Sequence, residues 1–209
     1  GSTTGDQYTT AIGNDANDGL TAATPKATIR GVLEAYDLDA GDIIRVDNGS
    51  YLLTANIELV TQDSGVTIEG PTFDGLAAVL DRGNTSSTSF VFNLLGADDV
   101  TLRNLVIRGG YHGISAANAA GSDRLTVENS ELIRNSQSGI SIADGNVNAL
   151  ISDNEVYGNG SWGININGAG NRAVGNHVWS NGGGITASYN GQAARIEIIG
   201  NTVHDNSST

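Results

Sequence analysis

From residue 100 onward the chain is a succession of short apolar runs, each broken by Asn or Gly. The runs (VTL, LVI, LTV, LIS, EVY and their neighbours) are too short for helices, and within them polar and apolar residues alternate as in strands. They recur with a period of about 22–25 residues, the range of solenoid repeats. Gly-Ile pairs mark the period at Gly113-Ile114, Gly139-Ile140, Gly163-Ile164 and Gly184-Ile185. One asparagine column is read at Asn104, Asn129, Asn154, Asn176 and Asn201. A second is read at Asn135, Asn159, Asn181 and Asn206, with Gly110 in its first place.

Three short strands and three turns cannot bury their own apolar face. Stacked in parallel, one strand spacing apart, such units close a continuous core. Asn and Gly tolerate the left-handed backbone of a sharp corner, and superposed Asn side chains hydrogen-bond from coil to coil. The pattern therefore predicts an all-β fold, a right-handed parallel β-helix of three-strand coils; the hand follows the rule for parallel crossovers.

Earlier in the chain, Thr28 to Tyr36 reads as an amphipathic helix with Ile29, Val32 and Leu33 on one face. It is a short capping helix over the open apolar end of the solenoid. Residues 1–41 are thus an N-terminal lead-in with its cap, and 42–209 the β-helix. The last repeat stops after Asn206, before the next Gly-Ile strand. The expectation is a C-terminal end truncated in this sequence, to be met by further coils, a cap or another chain.

These repeats resemble the right-handed parallel β-helix repeat family, the superfamily that includes pectate lyases and many secreted polysaccharide-processing proteins. GNDANDGLTAATPKATIRGVLEAY followed by AGDIIRVDNGSY is similar to that family's opening segment. The resemblance implies an extracellular or cell-surface protein and a polysaccharide partner. It does not imply a reaction, because many chemistries share the scaffold. In pectate-lyase-like enzymes, acids that hold calcium and a base stand on the outer face near the Gly-Ile strand. Here that column reads Ser115, Ser141, Asn165 and Thr186, so no catalytic residue carries over.

Composition narrows the classes. Acidic residues number 23 against 10 basic, for a net charge of −13. Such a field repels phosphate backbones, which argues against nucleic acid. No apolar run reaches the ~18–20 residues of a membrane span. Cysteine is absent, so thiolate metal sites and cysteine nucleophiles are excluded.

The candidate chemistry is sparse. Tyr157, Trp179 and His204 occupy equivalent outward positions on successive coils, about 4.8 Å apart, after Arg108 and Ile133. Trp162 and Tyr189 flank them. The stripe either stacks on sugar rings as a glycan-binding strip or its rings stack on one another. Arg108, Tyr111 and His112 gather in IRGGYHG and are the groups a polysaccharide lyase or epimerase acting on polyuronates would use. The alternative is an ordinary exposed corner. Asp15, Asn17 and Asp18 suggest a calcium loop, but their spacing fails the EF-hand pattern. Calcium is the one candidate ion and no other cofactor is expected. At Arg103, Glu128 and Asp153 either Arg103 neutralises Glu128 in a salt bridge or a cation sits among them, and Asp98-Asp99 cannot serve as a glycosidase pair because neighbours on a strand point to opposite faces. The expectation is a non-catalytic extracellular module, glycan-binding or structural, with the lyase or epimerase as its alternative.

Overall fold

The computed structural model describes residues 5–117, 121–188 and 195–208. The chain winds as a right-handed parallel β-solenoid. Strands three elements apart in the chain lie side by side, which builds three parallel sheets of seven, seven and six strands. The first sheet runs from Ile43–Arg45 to Glu197–Ile199. The second runs from Gly49–Leu52 to Thr202–His204, and the third from Ile57–Val60 to Gly183–Ser188. Register passes unbroken from coil to coil. In the third sheet Phe92, Ile114, Ile140, Ile164 and Ile185 are successive partners. The first four are buried in a core that also holds Leu102, Val127, Ile151, Leu132 and Val156.

The N-terminal helix spans Ile29–Ala35, with the Thr28 hydroxyl capping the Gly31 N–H at 2.9 Å. Ile29 is buried, and Val32 and Leu33 pack against the core beside it. At the other end Ile198 and Val203 continue the core columns of Ala173 and Val178. They are nonetheless 48% and 46% exposed.

From the strand Thr101–Arg103 onward each coil leaves the first sheet through a residue at positive φ. At the corner after the first sheet these are Asn104 (φ 56), Asn129 (φ 48), Asp153 (φ 56), Gly175 (φ 68) and Gly200 (φ 66). This corrects the first asparagine column. Asn104 and Asn129 occupy the left-handed position, and the inward column one residue later is Leu105, Ser130, Asn154, Asn176 and Asn201. There the Ser130 N–H donates to Asn154 Oδ1 at 3.0 Å. Asn154 Nδ2 donates to Asn176 Oδ1 at 3.0 Å, and Asn176 Nδ2 to Asn201 Oδ1 at 2.8 Å.

The second column stands as an unbroken ladder. Gly110 N–H donates to Asn135 Oδ1 (3.1 Å). Asn135 Nδ2 then donates to Asn159 Oδ1 (3.0 Å), Asn159 Nδ2 to Asn181 Oδ1 (2.9 Å), and Asn181 Nδ2 to Asn206 Oδ1 (3.0 Å). A third corner carries its own buried amides, Asn146 and Asn171, which accept from the Ser122 and Ala149 N–H groups. The rows satisfy backbone groups that a turn inside a packed wall would otherwise orphan.

Candidate functional site

The outer face of the second sheet carries two parallel columns. One is Asp81, Arg108, Ile133, Tyr157, Trp179 and His204; the other is Val79, Val106, Glu131, Glu155, His177 and Thr202. The aromatic stripe exists, and its rings stack on one another. Tyr157 and Trp179 lie 4.3 Å apart at 16°, and His177 stacks on Trp179 at 4.2 Å. His204 follows at 6.3 Å from Trp179. The ring faces of Trp179 are thereby largely claimed by its neighbours, and the stripe presents edges.

Trp162 does not join it. Trp162 opens the last turns of the third sheet, opposite Gly183. A Cβ on Gly183 would lie 2.3 Å from the indole, so the ring covers that glycine. Tyr189 lies outside the described residues.

The polar column beside the stripe was not singled out from sequence. Glu131 and Glu155 are in-register partners on adjacent strands, so their Cα atoms stand about 4.8 Å apart. Two carboxylates this close repel, and Glu131 has a hydroxyl partner. The Tyr157 hydroxyl donates to Glu131, and that bond pushes the Tyr157 phenol above its usual range. Glu155 stands 3.6 Å from His177 Nδ1.

Glu131, Glu155, Tyr157 and Trp179 floor an open groove of about 720 Å³. Its wall is the loop 71–77, which returns against the second sheet. The Gln7 carboxamide oxygen holds that loop by accepting from the Thr72 and Phe73 N–H groups. Phe73 lines the groove and is 63% exposed. With Asp74, Asp153, Glu131 and Glu155 also lining it, the groove is acidic.

Arg108, Tyr111 and His112 do not assemble into one site. Arg108 Nε donates to Asp81 at 2.8 Å, one coil away on its own sheet. The Tyr111 ring stands edge-on to His112 at 4.9 Å, and Phe90 stacks on His112 at 5.8 Å. His112 Nδ1 accepts the Ser138 N–H at 3.2 Å. Burial holds the imidazole below its usual pKa. A guanidinium already paired with a carboxylate is poorly placed to draw in a uronate.

The Asp15, Asn17 and Asp18 loop does not fit calcium. The Asp15 carboxylate accepts from the Ala27 and Thr28 N–H groups and the Thr28 hydroxyl. Asp18 accepts from Leu20 N–H and the Thr24 hydroxyl, which lowers its pKa. Lys26 Nζ donates to the Asp15 and Asn17 carbonyls at 2.9 and 2.8 Å. An ammonium therefore already sits among the oxygens. Among the described residues no group of three or more His, Asp or Glu side chains could hold a metal ion.

Two further charge clusters are paired internally. Arg45, Glu69, Arg103 and Glu128 alternate up the first sheet. Arg103 lies 2.6 Å from Glu69 and 3.8 Å from Glu128. Asp153 is outside this stack, one residue on at the left-handed corner. Arg124 bridges Asp98 and Asp99. The outer column of the third sheet, Ser115, Ser141, Asn165 and Thr186, is aligned and uncharged.

Comparison with known proteins agrees with this architecture. The family model described as "Right handed beta helix region" matches residues 89–209, and the chain belongs to that family. A pectate lyase, Pel9A, superposes with a TM-score of 0.67 at 19% identity, over 85% of this chain and 49% of the lyase. The chain thus spans about half the length of that enzyme. A pectin methylesterase solved with a hexasaccharide gives a TM-score of 0.45 at 12% identity, over 89% of this chain and 68% of the other. No curated protein matches the sequence. Among the described residues no helix is long and apolar enough to cross a membrane.

Proposed function

We propose that this β-helix is a non-catalytic module that binds a polysaccharide chain in the groove between the 71–77 loop and the second sheet. The observation that carries the reading is the exposed Phe73 ring on one wall, above a floor of Glu131, Glu155, Tyr157 and Trp179. Phe73 offers the open ring face that the self-stacked stripe lacks. The carboxylates are acceptors for sugar hydroxyls, and the Trp179 indole N–H is a donor. Four lining acids and a net charge of −13 favour neutral or amino-bearing sugars over polyuronates. Pel9A is named for its action on pectate, a polysaccharide, which supports a glycan partner in general terms. An extracellular or cell-surface setting accompanies that partner.

The test is retention on insoluble glucan and chitosan, with polygalacturonate as the anionic comparison. Phe73→Ala and Trp179→Ala are each expected to weaken binding by about tenfold, near 1.4 kcal/mol. Equal binding by both variants, or no retention on any polymer, would remove the groove reading. Preference for polygalacturonate would overturn the charge argument.

A further inference from the structure

Two imidazoles converge on the outer face of the second sheet. His177 faces Thr202 and Trp179 faces His204 across one strand pair, so the two histidines sit on a diagonal. Their Nε2 atoms are 2.8 Å apart. Behind them stand carboxylates: Asp205 lies 2.8 Å from His204 Nδ1, and Glu155 lies 3.6 Å from His177 Nδ1. The Asp205 carboxylate accepts the Nδ1 proton of His204, which leaves the lone pair of that ring on Nε2. Two nitrogen lone pairs cannot face each other at this distance with nothing between them. In the metal-free chain a proton on His177 Nε2 fills the gap.

We propose that a divalent transition-metal ion, copper(II) or nickel(II), displaces that proton, which passes to His177 Nδ1 on the Glu155 side, and is bound by the Nε2 atoms of His177 and His204. With metal–nitrogen bonds of about 2.0 Å, adjacent corners of a square-planar ion are separated by about 2.8 Å. The Nε2 spacing equals that separation, while the ring centroids stand 5.0 Å apart, so the rings of the metal-free chain point nearly at each other and each must turn to aim its lone pair at the ion. A tetrahedral ion requires about 3.3 Å and would have to spread the rings. The two side chains are 39% and 44% exposed, which leaves the other coordination positions to water. Asp205 orients His204 from behind, as carboxylates commonly do for ligating histidines. The acidic surface adds long-range attraction for a cation. Unlike this pair, His112 is on another sheet with its Nδ1 occupied by Ser138.

Trp179 stacks 4.2 Å from His177 and reports the event. Copper(II) chloride titrated into the full chain without sugar is expected to quench tryptophan fluorescence and saturate at one equivalent. His177→Gln and His204→Gln should each weaken binding by more than about tenfold, Asp205→Asn by about tenfold, and His112→Gln not at all. Electron paramagnetic resonance of the wild-type copper complex should show two imidazole nitrogens, independently of any variant's folding. Quenching that never saturates, unchanged affinity in His177→Gln and His204→Gln, or a spectrum with fewer than two imidazoles would overturn the assignment. None of these results depends on whether the groove binds sugar.

Discussion

Asn159→Ala tests the amide ladder most directly. Asn159 is 2% exposed. Its Oδ1 accepts from Asn135 N–H (3.1 Å) and Asn135 Nδ2 (3.0 Å), and its Nδ2 donates to Leu132 O (3.0 Å) and Asn181 Oδ1 (2.9 Å). A methyl group leaves the buried Asn135 N–H without its acceptor, which costs about 1–3 kcal/mol. Asn135 Nδ2 retains only a 3.4 Å contact with Ile107 O, and the Leu132 carbonyl loses a donor. Together these give about 3–5 kcal/mol. At about 2–4 °C per kcal/mol for a chain of this size, the melting midpoint should fall by about 6–20 °C. Asn206→Ala removes the same chemistry from a half-exposed rung, where water replaces the lost partners. Its cost should be about 1 kcal/mol. Circular dichroism melts of both variants, compared as apparent midpoints because solenoids need not unfold in one step, give the answer. Equal shifts, or a fall below about 2 °C for Asn159→Ala, would refute the view that burial gives the ladder its strength.

Three further outcomes follow from local geometry. Arg134 holds φ 52 in a column whose neighbours include Gly109 and Gly158; Arg134→Gly should stabilise by about 0.5–1 kcal/mol, the relief of left-handed strain less the gain in unfolded-chain entropy, and a lowered midpoint would contradict this. Gly163→Ala places a Cβ 2.5 Å from Val178 Cγ1 and 2.9 Å from Asn181 Nδ2; it should cost about 1–3 kcal/mol, read by the same melts. Burial works against the ionised Asp47 carboxylate, but the Gln7, Asn48 and Tyr8 N–H groups and the Thr9 side chain outweigh it and lower its pKa. Its stabilisation is complete above the unfolded value of about 3.9 and lost as pH falls through the lower folded value. The midpoint gap between wild type and Asp47→Asn should therefore close only in acid; a gap constant with pH would exclude the linkage.

The coil architecture was legible because Gly-Ile pairs and the Asn135 column repeat in one register. The other asparagine column was misread by one residue for a physical reason. Asparagine suits both the left-handed corner, where Asn104 and Asn129 sit, and the inward rung beside it, where Asn154 and Asn176 sit. Adjacent positions that favour the same residue cannot be told apart by recurrence alone. Glu131 and Glu155 could have been found, since they stand two residues before Ile133 and Tyr157 in runs already aligned. Phe73 could not, because its place depends on a loop held by Gln7, 65 residues before Thr72. The self-stacking of Tyr157 and Trp179 was one of two readings the spacing allowed, and only ring orientation separates them.

Asn135, Asn159 and Asn181 each hand one amide N–H forward to the oxygen of the next rung and turn the other back to a carbonyl of the coil before. Such a row has a sense, like a zipper that closes from one side only. Each finished rung offers a poised amide to the coil that follows it, the order in which a ribosome delivers the chain.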